Sequence, residues 1–257
     1  MFDLSDRVVV VTGGNGGIGL GMARGLVDAG ASVAVWGRDE EKNAASVDEL
    51  TARAAAVGRG ATAVAFRVDV AEEEQVERAM ADTVAALGKV DSLVANAGMG
   101  GGAPFHEQTL DAWRRVMAVN LDGAFLCFRA AVRHLLERGE GGALVGVSST
   151  SAIHGAPANQ AYSCSKTAML ALVRGLAVEL ARHGIRANAV MPGWTETDMT
   201  APLFGWEKFM AATTARTPAR RWGTPDDFAA AAVFLCDPTP TFHTGDCLVV
   251  DGGYTIF

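Results

Sequence analysis

The sequence has no apolar run near the roughly 18–20 residues needed to cross a bilayer. It also has no cluster of lysine and arginine, and no CxxC pair among its four cysteines. Each absence removes a class of function. Without a membrane span, the 49% of hydrophobic side chains in 257 residues are expected to fill one core, at the upper end of what a single domain contains. With a net charge of -7 and a pI near 5.2, and with no basic stripe, nothing attracts a phosphate backbone, so nucleic acid is not expected as a partner. Cys127, Cys164, Cys236 and Cys247 are scattered and form no ligand pattern with the five histidines. Free thiols are therefore expected, with no zinc site or disulfide framework. The start, MFDLSDR, carries two acids where a secretory signal would be basic and then apolar; export is not indicated and the cytoplasm is the expected compartment.

What is present is alternation. Short β-branched runs such as RVVVVTGG, ASVAVWGR, ATAVAFRVDV, DSLVANAG, GALVGVSS and IRANAVMPGW alternate with Ala/Leu-rich helical segments at 40–57, 72–87, 109–137 and 160–183. Nearly continuous apolar strands separated by helices predict a doubly wound α/β fold, a mainly parallel sheet covered on both faces, over residues 1–257 as one domain. Residues 197–222 interrupt the alternation with mixed apolar and polar side chains, and are read as a substrate lid, with an ordered insertion as the alternative.

Two constellations carry chemistry. Four valines lead into TGGNGGIG, where Gly13, Asn15, Gly17, Ile18 and Gly19 open a helix. Glycines there let the backbone approach a pyrophosphate, and unpaired N–H groups face its charge. At the end of the second strand Gly37 takes the position where an acid would bind the ribose hydroxyls, and Arg38 follows. A cation there pairs with a 2′-phosphate, so NADP(H) is favoured over NAD(H), although Asp39 could approach a ribose. Asp69, followed by Val70, ends the third strand and could accept a bond from the adenine amino group or cap the next helix. Asn96, Ala97 and Gly98 would form a small-residue floor or a tight turn. Tyr162 and Lys166 are four positions apart in AYSCSKTAML, on one helical face, and Ser149 lies upstream in GALVGVSST. A phenol, an ammonium and a hydroxyl around one point can move a proton while a hydride moves elsewhere. Lys166 is expected to draw the Tyr162 pKa from about 10 toward about 7.

These residues together resemble the short-chain dehydrogenase/reductase family. The matching motifs, in order, are TGGNGGIG, VDV at 68–70, NAG at 96–98, VNLDGAF at 119–125, VSS at 147–149, YSCSK at 162–166, PGWTET at 192–197 and TGDCLVVDGG; Ala95 stands where the family often has Asn. The likeness covers almost the whole chain. It implies a Rossmann-like fold, a nicotinamide cofactor and a catalytic set of Asn120, Ser149, Tyr162 and Lys166, with Asn120 binding a water that links Lys166 to solvent. It further implies that Pro192 and Gly193 wall the nicotinamide, that Thr195 and Thr197 bond its carboxamide and the phosphate, and that the protein is a homotetramer. His154, Asn159 and Trp194 are candidate substrate contacts, with Met99, Phe105 and Trp206 as further pocket candidates.

The expected activity is interconversion of a secondary alcohol and a ketone on a small molecule, such as a sugar acid or another polyol. A 3-oxoacyl-[acyl-carrier-protein] reductase is the alternative, because Arg129, Arg133 and Arg138 could form a basic docking patch. A non-catalytic cofactor sensor or scaffold is the alternative from another class.

Overall fold

The four valines at 8–11 are buried in one strand, and alternation sorts Val9, Val10 and Val11 into two cores. Val10 joins Trp36, Leu93, Phe128, Leu144 and Met169 on one face of the sheet. Val9 and Val11 join Met22, Leu26, Val33, Leu50, Phe228 and Leu235 on the other. A period of two with both sets apolar requires a sheet covered on both faces. Full burial of each such side chain is worth about 1.5–3 kcal/mol, so helices on both sides are held by the strands they cover.

The computed structural model describes residues 2–257. The chain runs β1 (Val8–Thr12), α1 (Gly17–Asp28), β2 (Ser32–Gly37), α2 (Glu40–Val57), β3 (Ala63–Arg67), α3 (Glu73–Leu87), β4 (Ser92–Ala95), α4 (Leu110–Met117), α5 (Gly123–Arg138), β5 (Gly142–Val147), α6 (Gln160–Leu180), β6 (Ile185–Pro192), α7 (Glu207–Arg216), α8 (Ala229–Cys236) and β7 (Cys247–Val250). The strands form one seven-stranded sheet in the order β3-β2-β1-β4-β5-β6-β7, parallel throughout. The chain winds outward from β1 in one direction and from β4 in the other. The order reverses between these two strands, and in such sheets a ligand site is expected beyond their carboxyl ends.

The expected doubly wound fold is present, and three local expectations change. The helix anticipated over 109–137 is broken: α4 passes into a π turn at Ala118–Asp122 before α5 begins. The helix anticipated to His183 ends as α6 at Leu180 and tightens into a 3-10 turn at Ala181–His183. Asp69 caps no helix, because α3 starts later, with Glu72 at its N-cap. Within 197–222 lie a short turn at Ala201–Leu203 and α7. Among the described residues no helix is long and apolar enough to cross a membrane, and no group of three or more His, Cys, Asp or Glu is placed to hold a metal ion.

Candidate active site

The glycine turn is built against the end of β4. Thr12 Oγ1 accepts from Asn96 N at 3.0 Å and Ala97 N at 2.9 Å, while Asn96 Nδ2 donates to Thr12 O at 2.9 Å and Gly13 O at 3.2 Å. These bonds make Asn96 a lock between two loops. Gly19 faces that lock so closely that a Cβ would stand 2.3 Å from Gly13 O and 2.4 Å from Asn96 Nδ2. The N-cap of α1, Gly16, offers no side chain to the first-turn amides, and no acid lies in that turn. Free N–H groups at the positive end of a helix suit an anionic pyrophosphate, so the residues present fit a dinucleotide.

Gly17, at φ +48°, would bring a Cβ within 3.2 Å of Thr197 Cγ2, which places the start of the 197–222 segment beside the turn. Pro192 ends β6, and Gly193 N donates to Val250 O at 2.9 Å. Thr195 is buried and its hydroxyl donates to Gly193 O at 3.0 Å; Thr197 N donates to Thr200 Oγ1 at 3.0 Å. Of these residues, Thr197 is the one that meets the glycine turn directly.

At the outer end, three polar side chains have partners within the chain. Asn15 Nδ2 donates to Asn43 Oδ1 at 2.7 Å. Asp39 is engaged as the N-cap of α2, its carboxylate accepting from Lys42 N at 3.0 Å. Asp69 Oδ1 accepts from Ala71 N at 3.1 Å, and its other oxygen lies 3.7 Å from Arg38. Val70 is buried beneath α5, against Gly123. Arg38 keeps 68% of its side chain exposed.

At the inner end the structure brings Asn120, Ser149, Tyr162 and Lys166 to one place. Asn120, fully buried, sits in the π turn, where Oδ1 accepts from Met99 N at 2.8 Å and Nδ2 donates to Met99 O at 3.0 Å and Ser165 Oγ at 3.1 Å. The wider turn lets an interior Asn face the loop after β4. Ser165 in turn donates to Tyr162 O at 2.7 Å. Sequence reading missed Ser165; its signal was the three-residue spacing from Tyr162, which stacks the two on one helix face. Lys166, buried, donates from Nζ to Val147 O at 2.8 Å and lies 5.6 Å from the Tyr162 ring centre. A Cβ on Gly98 would touch both Lys166 Nζ and Asn120 Oδ1 at 3.4 Å. Gly98 therefore leaves open the space where those two groups converge.

Burial depresses the Lys166 ammonium to about 8, because the low-dielectric interior penalises its charge. Burial raises the Tyr162 phenol above its usual 10, and the neighbouring Ser149 hydroxyl lowers it in part. The Lys166 charge, expected to draw the phenol toward neutrality, is turned here to the Val147 carbonyl, and the Ser149 hydroxyl is the neighbour that lowers the phenol. Ser149 Oγ also accepts from Ser151 N at 3.1 Å, which fixes its rotamer at the end of β5.

Among the substrate candidates, His154 packs edge-on against Tyr254 with ring centres 5.8 Å apart, and its Nε2 is buried with no partner. Trp194 stacks on Trp222 at 5.2 Å and meets Phe209 edge-on at 5.1 Å, again with an unpartnered indole nitrogen. Asn159 precedes α6 without a side-chain capping bond. Met99 contributes its backbone to Asn120, whereas the pocket candidates Phe105 and Trp206 are largely exposed. Tyr254 and Arg216, which stands 4.3 Å over the Tyr254 ring, were not legible as neighbours of His154, because only β6–β7 pairing brings the tail there.

The family model described as enoyl-(acyl carrier protein) reductase matches residues 13–255, from the glycine turn to the tail. The chain belongs to the short-chain dehydrogenase/reductase family. The gluconate 5-dehydrogenase of Gluconobacter oxydans is 35% identical over 256 residues, covering 100% of this chain and 97% of the relative. Among solved structures, a short-chain type dehydrogenase/reductase from Mycobacterium marinum superposes with a TM-score of 0.91 at 32% identity, covering 100% of this chain and 98% of the other. A gluconate 5-dehydrogenase from Burkholderia cenocepacia J2315, in complex with NADP and tartrate, superposes with a TM-score of 0.90 at 37% identity, covering 99% and 97%. As a short-chain dehydrogenase/reductase, the protein is an NAD(P)-dependent oxidoreductase acting on CH–OH and C=O groups of a small molecule.

Proposed function

We propose that the protein interconverts a secondary alcohol and a ketone on a small, hydroxyl-bearing molecule with NADP(H), and that Tyr162 is its acid and base. The observation that carries this reading is the convergence of Tyr162, Ser149, Lys166 and Asn120 at the carboxyl ends of β4 and β5, next to a glycine turn with free amides. When bound, the nicotinamide supplies or accepts hydride. Ser149 holds the substrate oxygen and Tyr162 gives it a proton in reduction or takes one in oxidation. Lys166, with Asn120 across the Gly98 gap, carries the proton onward through water. His154 Nε2 and the donating Trp194 indole N–H are buried without a partner and would meet substrate hydroxyls, with Asn159 as a further substrate contact.

NADP(H) is favoured because Gly37 offers no carboxylate to a ribose and Arg38 is exposed beside it; the Burkholderia relative was solved with NADP. The segment 197–222 serves as the lid, its Phe204 and Phe209 gathered with Trp194 around Trp222. A homotetramer in the cytoplasm completes the proposal. The carrier-protein alternative loses its support here. Arg129 pairs with Glu73 and Glu77, Arg133 with Glu77, and Arg138 with Asp91 and Glu140, so the basic patch is neutralised within the chain.

Tyr162→Phe is expected to lower turnover by about 10²–10⁴-fold while keeping nicotinamide-cofactor binding. The check is a panel of free polyols, sugar acids and carrier-linked oxoacyl groups assayed with both cofactors. Unchanged turnover in the variant would overturn the role of Tyr162, and cofactor binding without turnover of any substrate by the wild type would favour a sensor.

A further inference from the structure

Gly37 ends β2 at the point where a side chain would reach the adenosine ribose, and the space above its α-carbon is already filled. A Cβ there would stand 2.3 Å from Asn15 Nδ2, 2.7 Å from Asn15 Cγ and 2.5 Å from Asn43 Oδ1. These atoms belong to the hydrogen bond from Asn15 Nδ2 to Asn43 Oδ1, 2.7 Å long, which crosses directly over the glycine. The two amides come from different elements, Asn15 from the glycine turn and Asn43 from the first turn of α2.

The Asn43 half of the pair is anchored. Asn43 is 5% exposed, and its Nδ2 donates to Gly37 O at 2.9 Å and Phe66 O at 3.3 Å, tying α2 to β2 and β3. Its only other bonding group, Oδ1, takes Asn15. A buried amide with donor and acceptor both engaged yields only by leaving polar atoms unpaired, at about 1–3 kcal/mol each. A new Cβ thus displaces the half-buried Asn15 amide and leaves the buried Asn43 Oδ1, which cannot step aside, without its partner.

We infer that the Asn15–Asn43 amide pair is the cofactor-selectivity element of this protein: it occupies the room a carboxylate at position 37 needs, and so leaves Arg38 as the charged group presented at the end of β2. A carboxylate there would accept both ribose hydroxyls and repel a 2′-phosphate, whereas a guanidinium attracts that phosphate. The glycine follows from the amide pair. Asn15 and Asn43 are positioning residues that set which ribose the site tolerates, and the inference rests on the nicotinamide-cofactor reading above.

The test is a thermodynamic cycle in which Gly37→Asp is introduced both into the wild type and into Asn15→Ala/Asn43→Ala, the pair being removed as a unit. Thermal unfolding midpoints without cofactor, and dissociation constants for NADPH and NADH by calorimetry, are measured for all four proteins. In the wild-type background Gly37→Asp is expected to lower the midpoint and weaken both cofactors. With the pair removed, the same substitution is expected to leave the midpoint near that of its parent. It should also shift the NADH-to-NADPH preference toward NADH by at least about tenfold, equivalent to 1.4 kcal/mol. An equal fall in midpoint in both backgrounds overturns the inference, as does a gain of NADH binding by Gly37→Asp alone. Should the aspartate variants not fold, Gly37→Ala in the same two backgrounds reads the same steric coupling. A wild type that prefers NADH, or binds neither cofactor, refutes the cofactor reading instead, and the midpoint cycle still decides whether the amide pair excludes a side chain at 37.

Discussion

Tyr162 and Lys166 are displaced in opposite senses by the same cause. Burial disfavours charge, so the phenol rises above 10 and the ammonium falls to about 8. Lys166 is 3% exposed and has one protein acceptor, the Val147 carbonyl, so its charged form is held at a cost. The sign follows from proton binding. Between about 8 and its unfolded value of 10.5, the unfolded chain holds more protons on this lysine than the folded one, so the contribution to stability rises with pH across that window and is lost as pH falls to 8. Lys166→Met removes that dependence. Its stability relative to wild type is expected to drop by roughly 3 kcal/mol as pH rises from 8 to 10.5, at 1.36 kcal/mol per pKa unit. Denaturant unfolding at pH 7.5, 9 and 10.5 measures this, and a gap that stays constant with pH would contradict it. The identities and spacing of these residues were readable in YSCSK and VSS. Their protonation was not, because it depends on which carbonyl the ammonium meets.

At the scale of the elements, two devices hold side chains in place. The π turn at Ala118–Asp122 inserts one residue into what the sequence presents as a continuous helix, and so turns Asn120 inward to the backbone of Met99. An interior Asn was a warning, since its amide competes with helix bonds; the kind of break was decided by the loop it faces. The second device starts the segment leading into α8. Asp227 accepts from Arg221 through two bonds of 2.7 Å and from Thr224 N at 2.6 Å, and the Arg221 guanidinium holds its carboxyl well below the usual 3.8. A depressed carboxylate contributes stability above its unfolded value and loses it as pH falls through the folded one. Asp227→Asn is therefore expected to cost about 1–2 kcal/mol at neutral pH, the range of a capping bond with a partly exposed ion pair. That difference should fade as pH drops below about 4. Unfolding curves of both proteins at pH 7 and pH 2 check it; an undiminished difference at pH 2 would count against the ion pair.

For the whole molecule, the faces of α5 and α6 leave Phe125, Leu136 and the 85%-exposed Val178 outside both cores. Family membership favours a homotetramer, so light scattering is expected to give four times the 26.7 kDa of one chain. Val178→Glu should shift the population to smaller species, by placing charge on an apolar contact; a monomeric wild type would overturn the assembly. The sequence by itself determined the class of fold, since buried strands with two apolar faces require a covered parallel sheet, and it determined the chemistry, since glycines before a helix and a Tyr–Lys pair one turn apart carry their geometry locally. Only the tertiary structure decided which groups meet across distance. Asn15 over Gly37 against Asn43, Asn120 on Ser165, and Arg216 on Tyr254 beside His154 are contacts between elements far apart in the chain. Strand order and helix docking bring them together, and no local period encodes them.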